Sequence, residues 1–364
     1  MRTQGLVRPW SAASGPVEYG WPVSVFATAS GTGSWPGTAA RQAAEVVVGE
    51  LATAMAHIVE LPARGVGADI VGRAAALLID MAIDTVPRGY RVAARPGAVT
   101  RRAISLLDED IDALEEAWEI AGLRGSGRPV KVQAPGPITL AAELELANGH
   151  RAITDLGAVH DIAASLAEGV AEHRAAVSRR LDTPVVVQFD EPSLTAAVAG
   201  RLTGVTALSP VSPIDETLAT AMLDTCVAAA GAEVSVHSCA AALPWKVVQR
   251  SNIAAISIDV ATLEAADLDA IAEFVESGRA VMLGVVSSST PTRRPSAEEV
   301  AAAVVAVTDR LGFVRSALRD RIGVTPACGL AAATPQWART AIGLARRAAE
   351  AFADDPARSK KRNQ

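Results

Sequence analysis

A chain of 364 residues is long enough to bury one large α/β core or two smaller ones. Half of it is hydrophobic but only 4% is aromatic, so the core is aliphatic, and a net charge of −6 argues against a nucleic-acid partner, which needs a basic face. Three cysteines make no disulfide framework and fit a reducing compartment. With no apolar leader after Met1 and no run near the ~18 apolar residues of a membrane span, the sequence reads as a soluble, cytoplasmic protein without a membrane partner.

Residues 1–20 read as a short irregular extension rich in Gly, Pro and Ser. Trp21–Thr28 reads as a first strand, running into the loop Ser30–Thr38. The Gly31-x-Gly33 there lacks the third glycine and the later acidic residue of a dinucleotide site, so a loop offering backbone groups and the Ser34 hydroxyl to a small ligand fits better. Thr38 can cap a helix over Ala40–His57. Gly65–Arg73 breaks the pattern, Ala74–Ile83 is apolar, Val86–Ala94 looks extended, and Ile104–Ala121 is an amphipathic surface helix.

From Pro129 onward strands and helices alternate cleanly. Strands are expected at 129–133, 184–189, 234–236, 255–258, 280–285 and 322–324. Helices are expected at 152–180, 214–230, from Leu243, and at 268–277, 296–311 and 334–352. With the first strand and one somewhere in 66–93, that makes about eight strand–helix units. The expected fold is an α/β (β/α)8 TIM barrel over 21–353, one domain, followed by a disordered basic tail at 354–364. An open doubly wound sheet is the alternative, but it would not bring the outer strand ends together.

In a barrel the C-terminal strand ends share one mouth. His237 and Cys239 end one predicted strand, Asp259 the next, and Cys328 the last. Imidazole, two thiolates and a carboxylate on separate loops suit a catalytic Zn²⁺. The competing reading is that Cys is here only a small buried hydrophobe. Ser34 and Asp190 would sit on the same rim.

Five segments, in order, resemble motifs of the cobalamin-independent methionine synthase catalytic barrel, within the superfamily that includes uroporphyrinogen decarboxylase. They are Gly33–Thr38, Gly136-Pro137-Ile138-Thr139, Gln188–Leu194 with its Asp190-Glu191-Pro192, His237-x-Cys239, and Pro326-x-Cys328-Gly329-Leu330. The resemblance implies zinc on His237, Cys239, Asp259 and Cys328, and methyl transfer to the thiol of homocysteine or a similar small thiol. It also implies that Asp190 pairs with the substrate ammonium and Ser34 with its carboxylate. Departures stand out. Asp259 replaces the family's Glu, Ser289 stands at the family's proton-donating His, and Ala141-Ala142-Glu143 stands where a folate-stacking Trp belongs. No acidic substrate ligand is evident in Gly65–Arg73, and the long N-terminal domain of the full-length enzyme has no counterpart. The thiol end thus looks kept and the folate end altered. The expected donor is therefore a corrinoid or corrinoid protein rather than polyglutamyl methyltetrahydrofolate, with Asp190 and Ser289 as the catalytic positions.

Two other functions compete. A zinc-free decarboxylase-like barrel would use arginines such as Arg73, Arg88, Arg293 and Arg294. A degenerate barrel would bind an amino acid without turnover. Bland roles are expected elsewhere: Cys226, Trp245 and Trp337 in packing, His57, His150, His160 and His173 solvated, and Asp108-Glu109-Asp110 a solvated helix start.

Overall fold

The structure is a computed structural model that describes residues 22–206 and 210–354. The extension at 1–20 and the tail from 355 lie outside the described residues. Ten strands run through them: β1 (Ala56–His57), β2 (Ala82–Val86), β3 (Gly89–Ala93), β4 (Val130–Pro135), β5 (Leu144–Glu145), β6 (Val185–Asp190), β7 (Val234–Ser238), β8 (Ala255–Asp259), β9 (Ala280–Val286) and β10 (Ile322–Pro326). Seven form one sheet in the order β1-β4-β6-β7-β8-β9-β10, every pairing parallel.

That sheet closes on itself through residues 28–30. Val324 N donates to Thr28 O at 3.0 Å and Ser30 N to Val324 O at 3.2 Å. On the other side, Met55 N donates to Ala29 O at 3.0 Å. This short segment is the eighth stave, so the fold is the expected (β/α)8 barrel. Its close approach requires Gly323, where a Cβ would lie 2.3 Å from Phe26 O.

The barrel has helices outside and a layered inside, as strand alternation dictates. Val185, Val187 and Phe189 of β6 face the helices, while Val186, Gln188 and Asp190 face in. Phe26, Met55, Val186, Ala255, Ala280 and Met282 form a separate apolar cluster inside. Above it comes a polar layer of Lys131, Gln188, Ser235 and Ser257, all essentially without solvent access. Asp190 and His237 follow at the mouth.

Three expectations are corrected. The first stave is residues 28–30, after a turn, rather than Trp21–Thr28. The helix from Ala40 ends at Leu51, and β1 follows it, two residues long, inside what reads as one helical pattern. Residues 82–93 supply no stave: β2 and β3 form an antiparallel hairpin that joins β5 outside the barrel. Among the described residues no helix is long and apolar enough to cross a membrane.

Candidate metal centre and substrate cavity

At the C-terminal ends of the strands lies a cavity of about 410 Å³, lined among others by Thr32, Ser34, Glu60, Asp69, Asp190, His237, Cys239 and Cys328. His237 stands at the end of β7, its neighbour Cys239 on the exit loop, and Cys328 just past β10. Their ligand atoms all lie within 4.8 Å of one another. The two sulfurs are 2.7 Å apart.

The donor set fits a metal. His237 Nδ1 lies 3.3 Å from Ser257 Oγ, which orients the ring, while its Nε2 is buried without a hydrogen-bond partner. A buried orphan nitrogen beside two sulfurs is what a cation would satisfy. The hydrogen bond between the thiols pulls Cys328 down, to about 4, with His237 adding to the effect, and pushes Cys239 up. A cation between the sulfurs would replace the proton they share and let both ionise. Asp259 stays outside this group. Its carboxylate accepts from Ala261 N at 2.8 Å, capping a turn.

A second set of groups faces the same cavity. Asp190 is buried, and Gln188 Nε2 donates to its Oδ1 at 2.7 Å. Burial pushes Asp190 up to about 7, and the Glu60 carboxylate adds to that, while His237 and Lys131 oppose it. Ser34 and Glu60 are held together by a parallel bridge, with Trp35 N donating to Glu60 O at 2.8 Å and Glu60 N to Gly33 O at 3.2 Å. Two acidic side chains that the sequence did not single out line the cavity here: Glu60, and Asp69 within Gly65–Arg73. Burial raises Glu60, against the pull of Arg73, whose Nε is 3.7 Å from Glu60 Oε1. The Thr32 hydroxyl also lines the cavity, buried and unpartnered.

Other residues differ from expectation. His57 and His173 are buried, each lowered to about 3 by desolvation, so both are neutral rings rather than solvated ones. Gly31 packs on His57, whose Nε2 would be 2.3 Å from a Cβ there. Asp110 is fully buried between Arg73 and Arg64, at 2.5 and 2.7 Å. Arg73 therefore faces a carboxylate rather than serving a polyanionic substrate. Ser289 is exposed, its backbone N 3.2 Å from Ser287 Oγ, and it does not line the cavity. Cys226 and Trp337 are packed in the core, and Trp245 is half-buried with Nε1 donating to Asp267 at 2.7 Å.

Two of the sequence motifs form one lock. The buried Glu191 carboxylate accepts from Ile138 N at 2.9 Å, Thr139 N at 2.8 Å and Thr139 Oγ1 at 2.6 Å. It caps the short helix Pro137–Glu143 and ties it to the strand that ends in Asp190.

A parallel (β/α)8 barrel with a His-Cys-Cys cluster and two buried carboxylates in one mouth is the frame of a barrel enzyme whose site could hold a metal ion. The chain belongs to a family of this kind: residues 26–351 match the model of the cobalamin-independent synthase catalytic domain, and the activity class is methyl transfer. Among solved structures it is similar to a B12-independent methionine synthase from Shewanella sp. W3-18-1 in complex with selenomethionine. The identity is 16% and the TM-score 0.57, with 91% of this chain and 99% of that one covered. It is also similar to a putative vitamin-B12-independent methionine synthase from Listeria monocytogenes. There the identity is 14% and the TM-score 0.50, with 89% and 96% covered. These two likenesses support the fold. Among curated proteins the chain finds no match. Membership corrects the donor: a family defined by independence from cobalamin takes its methyl group from neither a corrinoid nor a corrinoid protein.

Proposed function

We propose that this protein transfers a methyl group from methyltetrahydrofolate to the thiol of homocysteine, with zinc held by His237, Cys239 and Cys328. One observation carries the reading: the sulfur–imidazole cluster and the Glu60–Asp190 carboxylates face a single cavity. That spacing of functions suits a short amino acid with a thiol at one end and an ammonium at the other. Zinc supplies one thing here, an acceptor thiol kept ionised at neutral pH, where a free thiol with a pKa of about 8.5 stays mostly protonated.

The chain's own residues do the rest. Asp190 and Glu60 pair with the substrate ammonium, and Ser34 donates to its carboxylate. The orphan Thr32 hydroxyl is a further donor on the same wall. Fixing both ends of the amino acid turns its sulfur toward the donor's methyl carbon. As the C–S bond forms, the carbon–nitrogen bond of the donor breaks and the departing nitrogen takes up a proton from solvent, which balances the one the acceptor thiol released on ionising. With Asp259 turned to cap Ala261, His237, Cys239 and Cys328 would be the three protein ligands of the zinc, as in catalytic zinc sites. A reducing cytoplasm would keep the close thiol pair from oxidising.

The test is direct. Purified protein should carry about one zinc per chain and convert homocysteine to methionine with methyltetrahydrofolate, mono- or polyglutamyl. Cys239→Ser should lose both zinc and turnover. Zinc-loaded protein that binds homocysteine yet methylates it with neither folate would refute the reading.

A further inference from the structure

Beneath the cavity floor lies a buried cation that the proposed chemistry does not use. Lys131 on β4 has no solvent access and does not line the cavity. Its Nζ donates to Gly31 O at 2.6 Å and to Gln188 Oε1. Because the ammonium only donates, it fixes which end of the Gln188 amide faces it. The amide nitrogen must then point the other way, and it donates to Thr32 O and to Asp190 Oδ1, both at 2.7 Å. One cation therefore braces two things: Asp190, and the 31–34 loop that carries Thr32 and Ser34.

We infer that Lys131 is a positioning residue for the amino-acid end of the substrate, holding Asp190 and Ser34 in register through Gln188 and the carbonyls of Gly31 and Thr32. The inference rests on the reading that those two residues hold the ammonium and the carboxylate. Lys131 also sets the charge. Glu60 and Asp190 would otherwise be two carboxylates buried near each other with no cation beneath them, and each is lowered by Lys131 against the penalty of burial. Desolvation brings Lys131 down to about 8, while the Asp190 and Glu60 carboxylates hold it up. A neutral residue of the same volume would leave Gly31 O unsatisfied, free the amide to flip, and put an acceptor against Asp190.

Four thiols test this by calorimetry on the zinc-loaded protein: L-homocysteine, 3-aminopropane-1-thiol, 4-mercaptobutanoate and 1-propanethiol, which carry both ends, one end each, and neither. Lys131→Met should weaken L-homocysteine about tenfold, weaken both single-ended thiols, and leave 1-propanethiol within about twofold. In turnover, KM for homocysteine should rise while kcat changes much less. Gln188→Met cuts the same relay while keeping the cation, and should give the same selective pattern even if Lys131→Met fails to fold. If homocysteine binds both variants as it binds the wild type while Asp190→Asn weakens it, the brace is refuted and the functional reading stands. If Asp190→Asn is also without effect, the ammonium assignment itself falls.

Discussion

Removing the Glu191 side chain separates two opposed contributions. The carboxylate accepts three hydrogen bonds, from Ile138 N, Thr139 N and Thr139 Oγ1, at 2.6 to 2.9 Å with no solvent access. Hydrogen bonds to a charged group contribute about 1.5–3 kcal/mol each, so the gross gain is about 4.5–9 kcal/mol. Against it stands desolvation, the larger effect on ionisation: even with the three hydrogen bonds pulling it down, Glu191 stands at about 7 rather than its ordinary 4.5. Truncation removes both contributions but leaves Ile138 N and Thr139 N buried without an acceptor, at about 1–3 kcal/mol each. Glu191→Ala should therefore lower stability by about 3 kcal/mol at pH 7.

The pH dependence has a definite sign. Between 4.5 and about 7 the native protein binds the Glu191 proton more tightly than the unfolded chain does. The part of stability linked to this group is complete below the lower value and is lost as pH rises through the upper one. Urea denaturation at pH 5, 6, 7 and 8 should therefore show the gap between wild type and Glu191→Gln changing across that window, because the amide of the variant cannot ionise and its curve is flatter. A gap that does not vary with pH would show that Glu191 stays ionised throughout. A Glu191→Ala protein as stable as wild type would refute the cap altogether.

Other outcomes follow from the same geometry. Cys328→Ser should lose zinc as fully as Cys239→Ser, since the ligand atoms of all three residues lie within 4.8 Å, and metal analysis of the two variants checks it. Asp190, raised to about 7, should become a better ammonium partner as pH rises from 6 to 8. L-Methionine should then bind more tightly across that range in wild type and not in Asp190→Asn, measured by calorimetry. Gly323→Ala should destabilise the protein by about 3 kcal/mol in denaturant, because the new Cβ meets Phe26 O at 2.3 Å where the barrel closes.

The His-Cys-Cys cluster was legible because its members follow strong strands. His237, Cys239 and Cys328 each follow a β-branched run, and a barrel brings such ends together whatever their sequence separation. Glu60 was hidden for the opposite reason. β1 is only two residues long and continues the helical periodicity of Ala40–Leu51, so nothing in the pattern marks Met55–Glu60 as extended. The interior polar layer did leave a signal. Val130-Lys131-Val132-Gln133, Val187-Gln188, Val234-Ser235-Val236-His237 and Ile256-Ser257-Ile258-Asp259 alternate apolar and polar. With helices covering the apolar faces, the polar ones must point inward. The pairing of Gly136–Thr139 with Glu191 could not be read, because each motif is local and the lock between them is tertiary. It is visible at Gly136, where a Cβ would meet Glu191 Oε1 at 2.2 Å.

Charge decides between a thiol amino acid and a polycarboxylate as the substrate of this mouth. A polycarboxylate needs cations facing it, and the nearest buried candidate, Arg73, is held by Asp110 at 2.5 Å with Glu60 at 3.7 Å on its other side. Lys131 is out of reach below the floor. The lining instead presents Glu60, Asp69 and Asp190, and of these Asp69 is engaged by Gly72 N and the Tyr90 hydroxyl. Asp190, with one oxygen taken by Gln188, and Glu60, 3.7 Å from Arg73, are the carboxylates that face a ligand, while only hydroxyls, Ser34 and Thr32, are available to an anionic end. Buried ion pairs lose more than neutral hydrogen bonds when one partner is removed. Stripping the ammonium from homocysteine should therefore weaken binding by more than stripping its carboxylate. 3-Aminopropane-1-thiol should bind more tightly than 4-mercaptobutanoate, by about tenfold at pH 8. The reverse order would mean that the carboxylates in this mouth do not face the ligand.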